Sequence, residues 1–263
     1  MRVPPLGVWS PTFRAVIAVA VLIAVTAIPA PARSQERMAL HLVLAFDASA
    51  SVNDVEFDIQ RTGTARALRH PSVRSAIVQA EGGVAISIVQ WSSIGLQTVG
   101  LDWAVLRDAG DVEAFADRVR AMPRRLSGGG TMIHAGLAFA ARQLDAAPGT
   151  ARRRVIDLSG NGRSDDHDRM VEMRDRLVRD GVVINALAIE EHNDDLTSYF
   201  HRHLIGGPGA FVITADAFDD FRDAMRRKLY REIVGPVLSH ARPPVTAPDE
   251  GRRWTGRDIR RGG

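Results

Sequence analysis

The sequence predicts an α/β fold: one doubly wound, mostly parallel β-sheet with helices on both faces and one antiparallel edge strand. Three observations point there. Strand-like runs alternate with helix-like stripes along the middle of the chain. The strand-like runs are almost continuously apolar, as in strands buried on both faces. The chain has 263 residues, 45% apolar and 25% charged, the profile of a globular protein long enough to bury a full core. Collagen-like, coiled-coil and wholly disordered architectures are excluded.

Each element has its own signal. Residues 40–46 (LHLVLAF) read as the first buried strand. Val55, Ile59, Gly63 and Ala67 then recur every fourth residue as one stripe of a helix. Asn53 can cap that helix, with Glu56 three residues on, as in a capping box. Residues 83–91 are a second strand and 96–103 a third. The link between them is short, so the third is expected antiparallel to the second. Residues 111–122 are a helix. Ile133, Leu137, Ala140, Ala141 and Leu144 mark the next. Residues 155–158 form a strand, Met170, Met173 and Leu177 a helix, and 182–189 a strand. A short helix over 194–203 and a short strand over 210–213 follow. Phe218, Phe221, Met225 and Leu229 stripe the last helix.

Composition bounds the function. There is no cysteine, so disulfides, thiolate metal sites and thiol nucleophiles are excluded. The isoelectric point is high, yet the net charge is only +3. All but one of the basic residues are arginine, Lys228 being the exception, and only two tyrosines are present. Little titrates between neutrality and pH 10, so a small arginine excess carries the isoelectric point far up. Residues 33–233 sum to about −2, which is no nucleic-acid-binding face.

Both ends differ from the middle. Arg2 and Arg14 are the only charges in residues 1–32, residues 15–28 are almost wholly apolar, and Ala30-Pro31-Ala32 follows. That order reads as a secretory signal peptide over residues 1–32, cleaved after Ala32. The apolar run is short for a membrane span, so no stable anchor is expected after cleavage, and the protein is expected to be periplasmic or secreted. Residues 234–263 hold four prolines, six arginines and little apolar content, and read as a disordered basic tail. The domain is expected over residues 33–233.

Ligands of open α/β sheets sit at the carboxyl ends of strands, so function is sought in the loops that leave them. The first is Asp47-Ala48-Ser49-Ala50-Ser51. Alternate residues of an extended chain point the same way, so Asp47, Ser49 and Ser51 can offer hard oxygens to one point, a set suited to Mg²⁺ or Mn²⁺. Read alone, it is equally a serine-rich turn capping a helix. The second is Ser127-Gly128-Gly129-Gly130-Thr131, where Thr131 is expected to begin a helix. It lacks the lysine of a P-loop and reads either as a close-approach loop or as a capping threonine. The third, Ser159-Gly160-Asn161-Gly162, places the Asn161 carbonyl oxygen just past a strand end; alone it is an ordinary turn.

Taken together, the three loops resemble the von Willebrand factor A (vWA) family, over about residues 39–232. The resemblance implies a vWA-like, Rossmann-like fold. It also implies a metal-ion-dependent adhesion site (MIDAS) on Asp47, Ser49, Ser51, Thr131 and Asn161. Asn161 stands where that family usually has an aspartate, which removes one negative charge. Asp157, inside the strand, is not expected to substitute. Ser159-Gly160-Asn161-Gly162, the segment 205–211 (IGGPGAF) and Arg227-Lys228-Leu229 resemble more narrowly an uncharacterised secreted bacterial branch, domain of unknown function 1194.

The function expected is therefore a secreted, non-catalytic protein-binding domain. A divalent cation, Mg²⁺ or Mn²⁺, would bridge it to a partner protein that supplies an acidic residue. The rivals are a periplasmic hydrolase and a scaffold with a degenerate metal site. Ser159 lies outside a Gly-x-Ser-x-Gly nucleophile elbow. His192, His201 and His203 lack the spacing of a zinc site, and His201 and His203 would face different sides of a helix. Trp91 and Trp103 read as core or rim.

Overall fold

The computed structural model describes residues 37–191 and 195–235. The expected leader, His192 and residues 236–263 of the expected tail lie outside the described residues. Six strands are present: β1 (Arg37–Asp47), β2 (Val84–Trp91), β3 (Gln97–Leu106), β4 (Thr150–Gly160), β5 (Val182–Ile189) and β6 (Val212–Ala215). They form one sheet in the order β3-β2-β1-β4-β5-β6. β1 pairs in parallel with β2 and β4, and β5 in parallel with β4 and β6. Only β3 runs antiparallel, at the edge beside β2, as its short connection requires.

The chain winds outward from β1 in one direction through β2 and β3, then crosses to β4 and winds the other way. The reversal makes the carboxyl ends of β1 and β4 a topological switch point, where such sheets leave a crevice. Asp47 ends β1 and Gly160 ends β4. The first and third candidate loops therefore leave neighbouring strands.

Among the described residues seven helices cover the two faces: α1 (Asp54–Arg69), α2 (Pro71–Gln79), α3 (Ala109–Ala121), α4 (Ile133–Asp145), α5 (His167–Arg179), α6 (Leu196–Tyr199) and α7 (Phe221–Val234). α6 continues as a π-helical turn through Leu204. One core lies under α1, α2, α3 and α7 and includes Leu42, Leu44, Phe46, Phe57, Phe115 and Phe221. The other lies under α4, α5 and α6 and includes Val43, Ala45, Trp91, Leu137, Met170 and Phe200. Alternate residues of β1 feed opposite cores, which is why its sequence is apolar throughout.

Several local expectations need correction. The buried face of α1 is Phe57, Gln60, Gly63, Thr64, Ala67 and Leu68, whereas Val55 is 69% exposed. A strict four-residue row winds about 40° around the helix per step, so it leaves the core within two turns. The capping box is as expected: Asn53 Oδ1 accepts from the Glu56 N–H at 3.0 Å, and Glu56 Oε2 accepts from the Asn53 N–H at 2.7 Å. α2 has no strong period because it buries only Val73 and Ile77; Pro71 starts it with a preset φ. β3 runs on to Leu106 and β6 begins at Val212. Phe218 belongs to a short 3₁₀ turn ahead of α7. Trp91 is core, and Trp103 packs against it partly buried.

Candidate metal centre

The first loop is shaped by its own side chains. Asp47 Oδ1 accepts a 2.8 Å hydrogen bond from the Ser49 N–H, an Asx-type turn that bends the chain as it leaves β1. Ser49 Oγ and Ser51 Oγ lie 3.0 Å apart, brought together by a turn closed from the Val52 N–H to the Ser49 carbonyl at 3.0 Å rather than by the extended chain expected. Asp47 and Ser49 are buried, while Ser51 is exposed. The three oxygens thus grade from interior to surface.

The third loop meets the first directly. Asn161 Oδ1 accepts a 2.7 Å hydrogen bond from the Ser51 hydroxyl, and Asn161 Nδ2 donates to the Ser51 carbonyl at 3.1 Å. A Cβ on Gly160 would lie 3.2 Å from Asp47 Oδ2, so that oxygen faces the end of β4.

The second loop closes the site from the other side. The Ala50 N–H donates to the Gly129 carbonyl at 3.0 Å. Ser92 Oγ donates to the Gly128 carbonyl, and the Gly130 N–H donates to Ser93 Oγ, each at 2.6 Å. Gly129 has φ +88°, and a Cβ there would lie 2.6 Å from Ser92 Oγ; only glycine fits both demands. Thr131 Oγ1 would lie 3.6 Å from a Cβ on Gly162, beside Asn161. Thr131 does not begin α4. The helix starts at Ile133, its N-cap is Met132, and no side chain caps it. The capping reading of Thr131 is therefore overturned, and its hydroxyl is left to the loop cluster.

Three neighbours of this cluster are not singled out by sequence. Asp165 Oδ2 accepts from the Thr131 N–H at 2.7 Å, and the Asp165 N–H donates to the Thr131 carbonyl at 3.0 Å. This clamp joins the second and third loops, and a Cβ on Gly130 would run into Asp165 Oδ2. Arg124 donates to the carbonyls of Val52 (2.7 Å) and Ala48 (3.3 Å) and to Asp54 (2.8 Å). Gln60, fully buried on α1, donates to the Asp47 carbonyl at 3.1 Å and accepts from Ser159 Oγ at 3.2 Å. The Asp165-Asp166 pair ahead of α5 was the readable signal for the clamp. Nothing local marks Arg124 or Gln60, because the partners that tie them to the site are distant in sequence.

Burial pushes Asp47 up to about 6. The Ser49 hydroxyl and N–H, the Asn161 backbone and the Arg124 charge all oppose that rise. Asp47 Oδ2 is nevertheless buried without a hydrogen bond of ordinary geometry. A buried carboxylate oxygen left unmatched is costly, and a cation beside it removes the cost. Among the described residues no group of three or more His, Asp or Glu is placed to hold a metal ion. Any cation here would be held by one carboxylate plus hydroxyl and amide oxygens, a hard-donor set.

The histidines lie elsewhere. His201 is exposed, while His203 packs edge-on against His167 with ring centroids 4.7 Å apart. Ser159, inside β4, is buried with its hydroxyl bonded to Gln60.

Residues 37–237 match the family described as "Protein of unknown function (DUF1194)". The chain belongs to that family. The fold of this chain is similar to that of solved structures that include a von Willebrand factor type A domain. The von Willebrand factor type A structure from Catenulispora acidiphila is similar with a TM-score of 0.53 and 15% identity, covering 74% of this chain and 43% of that one. The pilus adhesin SpaC of Lactobacillus rhamnosus GG matches with a TM-score of 0.56 and 15% identity, over 74% of this chain and 30% of that one. Proximal thread matrix protein 1 of the mussel byssus, in a form with a zinc-occupied MIDAS motif, matches with a TM-score of 0.54 and 17% identity, over 75% and 48%. The DUF1194 chain thus spans less than half the length of each. No curated protein sequence matches it. The vWA-like fold expected from the three loops is the fold found, antiparallel edge strand included.

Proposed function

We propose that this chain is an exported, periplasmic or secreted, vWA-like binding domain that recognises a protein partner through a divalent cation. Asp47, Ser49, Ser51, Thr131 and Asn161 would hold the ion, with Mg²⁺ or Mn²⁺ favoured by the all-oxygen donor set. The observation that carries this reading is Asp47 Oδ2, a buried carboxylate oxygen without a hydrogen bond of ordinary geometry, in a cluster built from two strand-end loops and the glycine loop ahead of α4. When bound, the cation would supply a positively charged open position for an acidic side chain of the partner. Asp47 supplies the one negative charge, Ser49 and Ser51 supply neutral oxygens, and Asn161 adds an oxygen without adding charge. Gln60 and Asp165 position the loops. The adhesin and matrix proteins that share the fold support a non-enzymatic reading. Against a hydrolase stands Ser159, whose hydroxyl is buried and bonded to an amide rather than to a base.

Thermal unfolding with Mg²⁺ or Mn²⁺ against chelator tests the proposal, because a ligand that binds only the native state raises its stability. The melting temperature should rise with either metal, and Asp47→Ala should abolish the rise while the domain still unfolds cooperatively. Identical wild-type curves with and without metal would favour the scaffold reading, for which Asn161 is the specific observation.

A further inference from the structure

A second polar cluster lies in the core beneath α7, sharing no residue with the loop site. Lys228, Asp157 and Glu232 are 0%, 2% and 1% exposed. Lys228 Nζ lies 3.0 Å from Asp157 Oδ1 and 3.1 Å from Glu232 Oε1. Asn185 Nδ2 donates to both Glu232 oxygens at 2.9 Å, and the Phe211 N–H donates to Asn185 Oδ1 at 2.8 Å. The Phe211 ring packs with its centroid 4.6 Å from Nζ. The Asp157 oxygens make no hydrogen bond of ordinary geometry, although the amine is beside one of them. A cavity of about 100 Å³, lined in part by Arg153, Asn185, Phe211 and Glu232, adjoins the cluster.

Two features make this more than a buried ion pair. Lys228 is the only lysine among 34 basic residues. A purely electrostatic role could be filled by arginine, the basic residue used everywhere else, but a guanidinium cannot shed its proton, whereas a buried amine can. Two buried carboxylates also share this site with the Lys228 amine, Arg153 acts on Glu232 from the cavity side, and burial disfavours every charge held there. Desolvation accordingly pushes Asp157 up to about 7, with Glu232 adding to the rise and Lys228 opposing it. Burial thus favours the neutral acid form of Asp157, an electrophile beside an amine.

We propose that Lys228 Nζ and Asp157 Cγ condense into an intramolecular amide bond, joining α7 to β4, with Glu232 as the proton relay. The step starts from the Lys228 ammonium, the Glu232 carboxylate and the Asp157 carboxylic acid. Lys228 gives one proton to Glu232, and the freed lone pair forms the N–C bond to Cγ as the carbonyl π pair moves onto oxygen. Glu232 then protonates the Asp157 hydroxyl, the C–O bond breaks and water leaves. As the carbonyl re-forms, the nitrogen gives a second proton to Glu232 and keeps its third as the amide N–H. Nothing is oxidised or reduced. The products are a neutral amide, a neutral Glu232 acid and one water, for which the adjoining cavity has room. Three buried ionisable groups are thereby exchanged for none that is charged, which is the driving force in a low-dielectric site. A chain without cysteine acquires a covalent cross-link.

The full chain, purified and shown to unfold cooperatively, is to be weighed intact and mapped with trypsin. The expected intact mass is lower by one water than the mass summed from the residues of the unlinked chain. Residues 155–163 and 228–231 should appear as one branched peptide, uncut after Lys228. Glu232→Gln keeps the side-chain shape and one acceptor for Asn185 but cannot relay protons; it should show full mass and two separate peptides. A folded wild type of full mass, with the two peptides recovered separately, would overturn the bond. A Glu232→Gln protein linked as completely as wild type would overturn the relay.

Discussion

Ser51 and Asn161 bond to each other twice: the Ser51 hydroxyl donates to Asn161 Oδ1 at 2.7 Å, and the Asn161 amide donates back to the Ser51 carbonyl at 3.1 Å. This reciprocal pair spans the switch point and joins the loops that leave β1 and β4. An aspartate in the same place could accept the first bond but could not make the second. The amide therefore steadies the loops without a metal, at the expense of one negative charge toward a cation.

Asn161→Asp should separate these effects. Without metal, the variant places a carboxylate against the Ser51 carbonyl and close to Asp47, and its melting temperature should fall. With Mn²⁺, the added charge should tighten binding by roughly 1 kcal/mol or more, the Coulomb gain near a protein surface less its desolvation cost. Calorimetric titration of both proteins reads this directly. Equal or weaker affinity in the variant would remove Asn161 from the metal's surroundings. If the partner contributes a carboxylate, the same substitution should weaken partner binding as it strengthens metal binding.

Gln60 braces the site from beneath. Gln60→Leu keeps the volume but strips the buried Asp47 carbonyl of its amide donor and leaves the Ser159 hydroxyl only the long 3.5 Å contact to the Ala45 carbonyl. A buried polar group stripped of its partner costs about 1–3 kcal/mol. Chemical denaturation should show a loss in that range, and metal affinity should fall with it because the carbonyl belongs to Asp47 itself. An unchanged midpoint would mean that water replaces the amide.

The fold was legible because its central strands are apolar runs and most of its helices carry stripes; α2, which buries only Val73 and Ile77, has none and went unread. The first and third loops were legible because each stands where a strand ends, and the second because three glycines and Thr131 come just ahead of a helix. What stayed hidden was long-range. Gln60 and Thr64 are polar residues on the buried face of α1, and only the packed neighbours reveal why. Asp165 and Arg124 act through backbone partners in other loops. Lys228 reads as one more cation on a helix until the fold sets it between Asp157 and Glu232. Thr131 was placed correctly in its loop but given the wrong neighbour, since a threonine before a helix has the same sequence signature whether or not it caps.

Gly136 offers a test of packing on the other face. In most helix interiors, glycine to alanine gains up to about 1 kcal/mol. Here a Cβ would lie 2.9 Å from Trp91 Cγ and 3.2 Å from its Cβ. Trp91 is fully buried, and its indole N–H donates to the Ala45 carbonyl at 3.2 Å, so it has little room to move. Overpacking of this kind costs about 1–3 kcal/mol and should outweigh the propensity gain. Gly136→Ala should therefore lower the melting temperature; a rise would show that the indole can shift.

His41 should make stability depend on pH. It sits in β1, 3% exposed, with Nε2 3.0 Å from the Pro148 carbonyl and its ring centroid 5.7 Å from that of Trp103. A carbonyl only accepts, so Nε2 carries the hydrogen in the neutral ring. Burial lowers the His41 pKa below its ordinary value; the Pro148 carbonyl opposes that, and the positive charge of Arg154 on the neighbouring β4 adds to it. Arg154 is itself paired with Asp145 at 2.6 Å, which softens its effect. The folded chain thus binds fewer protons at His41 than the unfolded chain in the interval below pH 6.5. Stability from this group is complete above the unfolded value of about 6.5 and is lost as pH falls through the lower folded value. Melting temperatures measured in chelator from pH 7 to pH 5 should decline. His41→Gln can still donate to Pro148 but does not titrate, so its curve should be flatter over the same range. Parallel curves for the two proteins would assign the acid sensitivity to other groups and leave His41 a neutral packing residue.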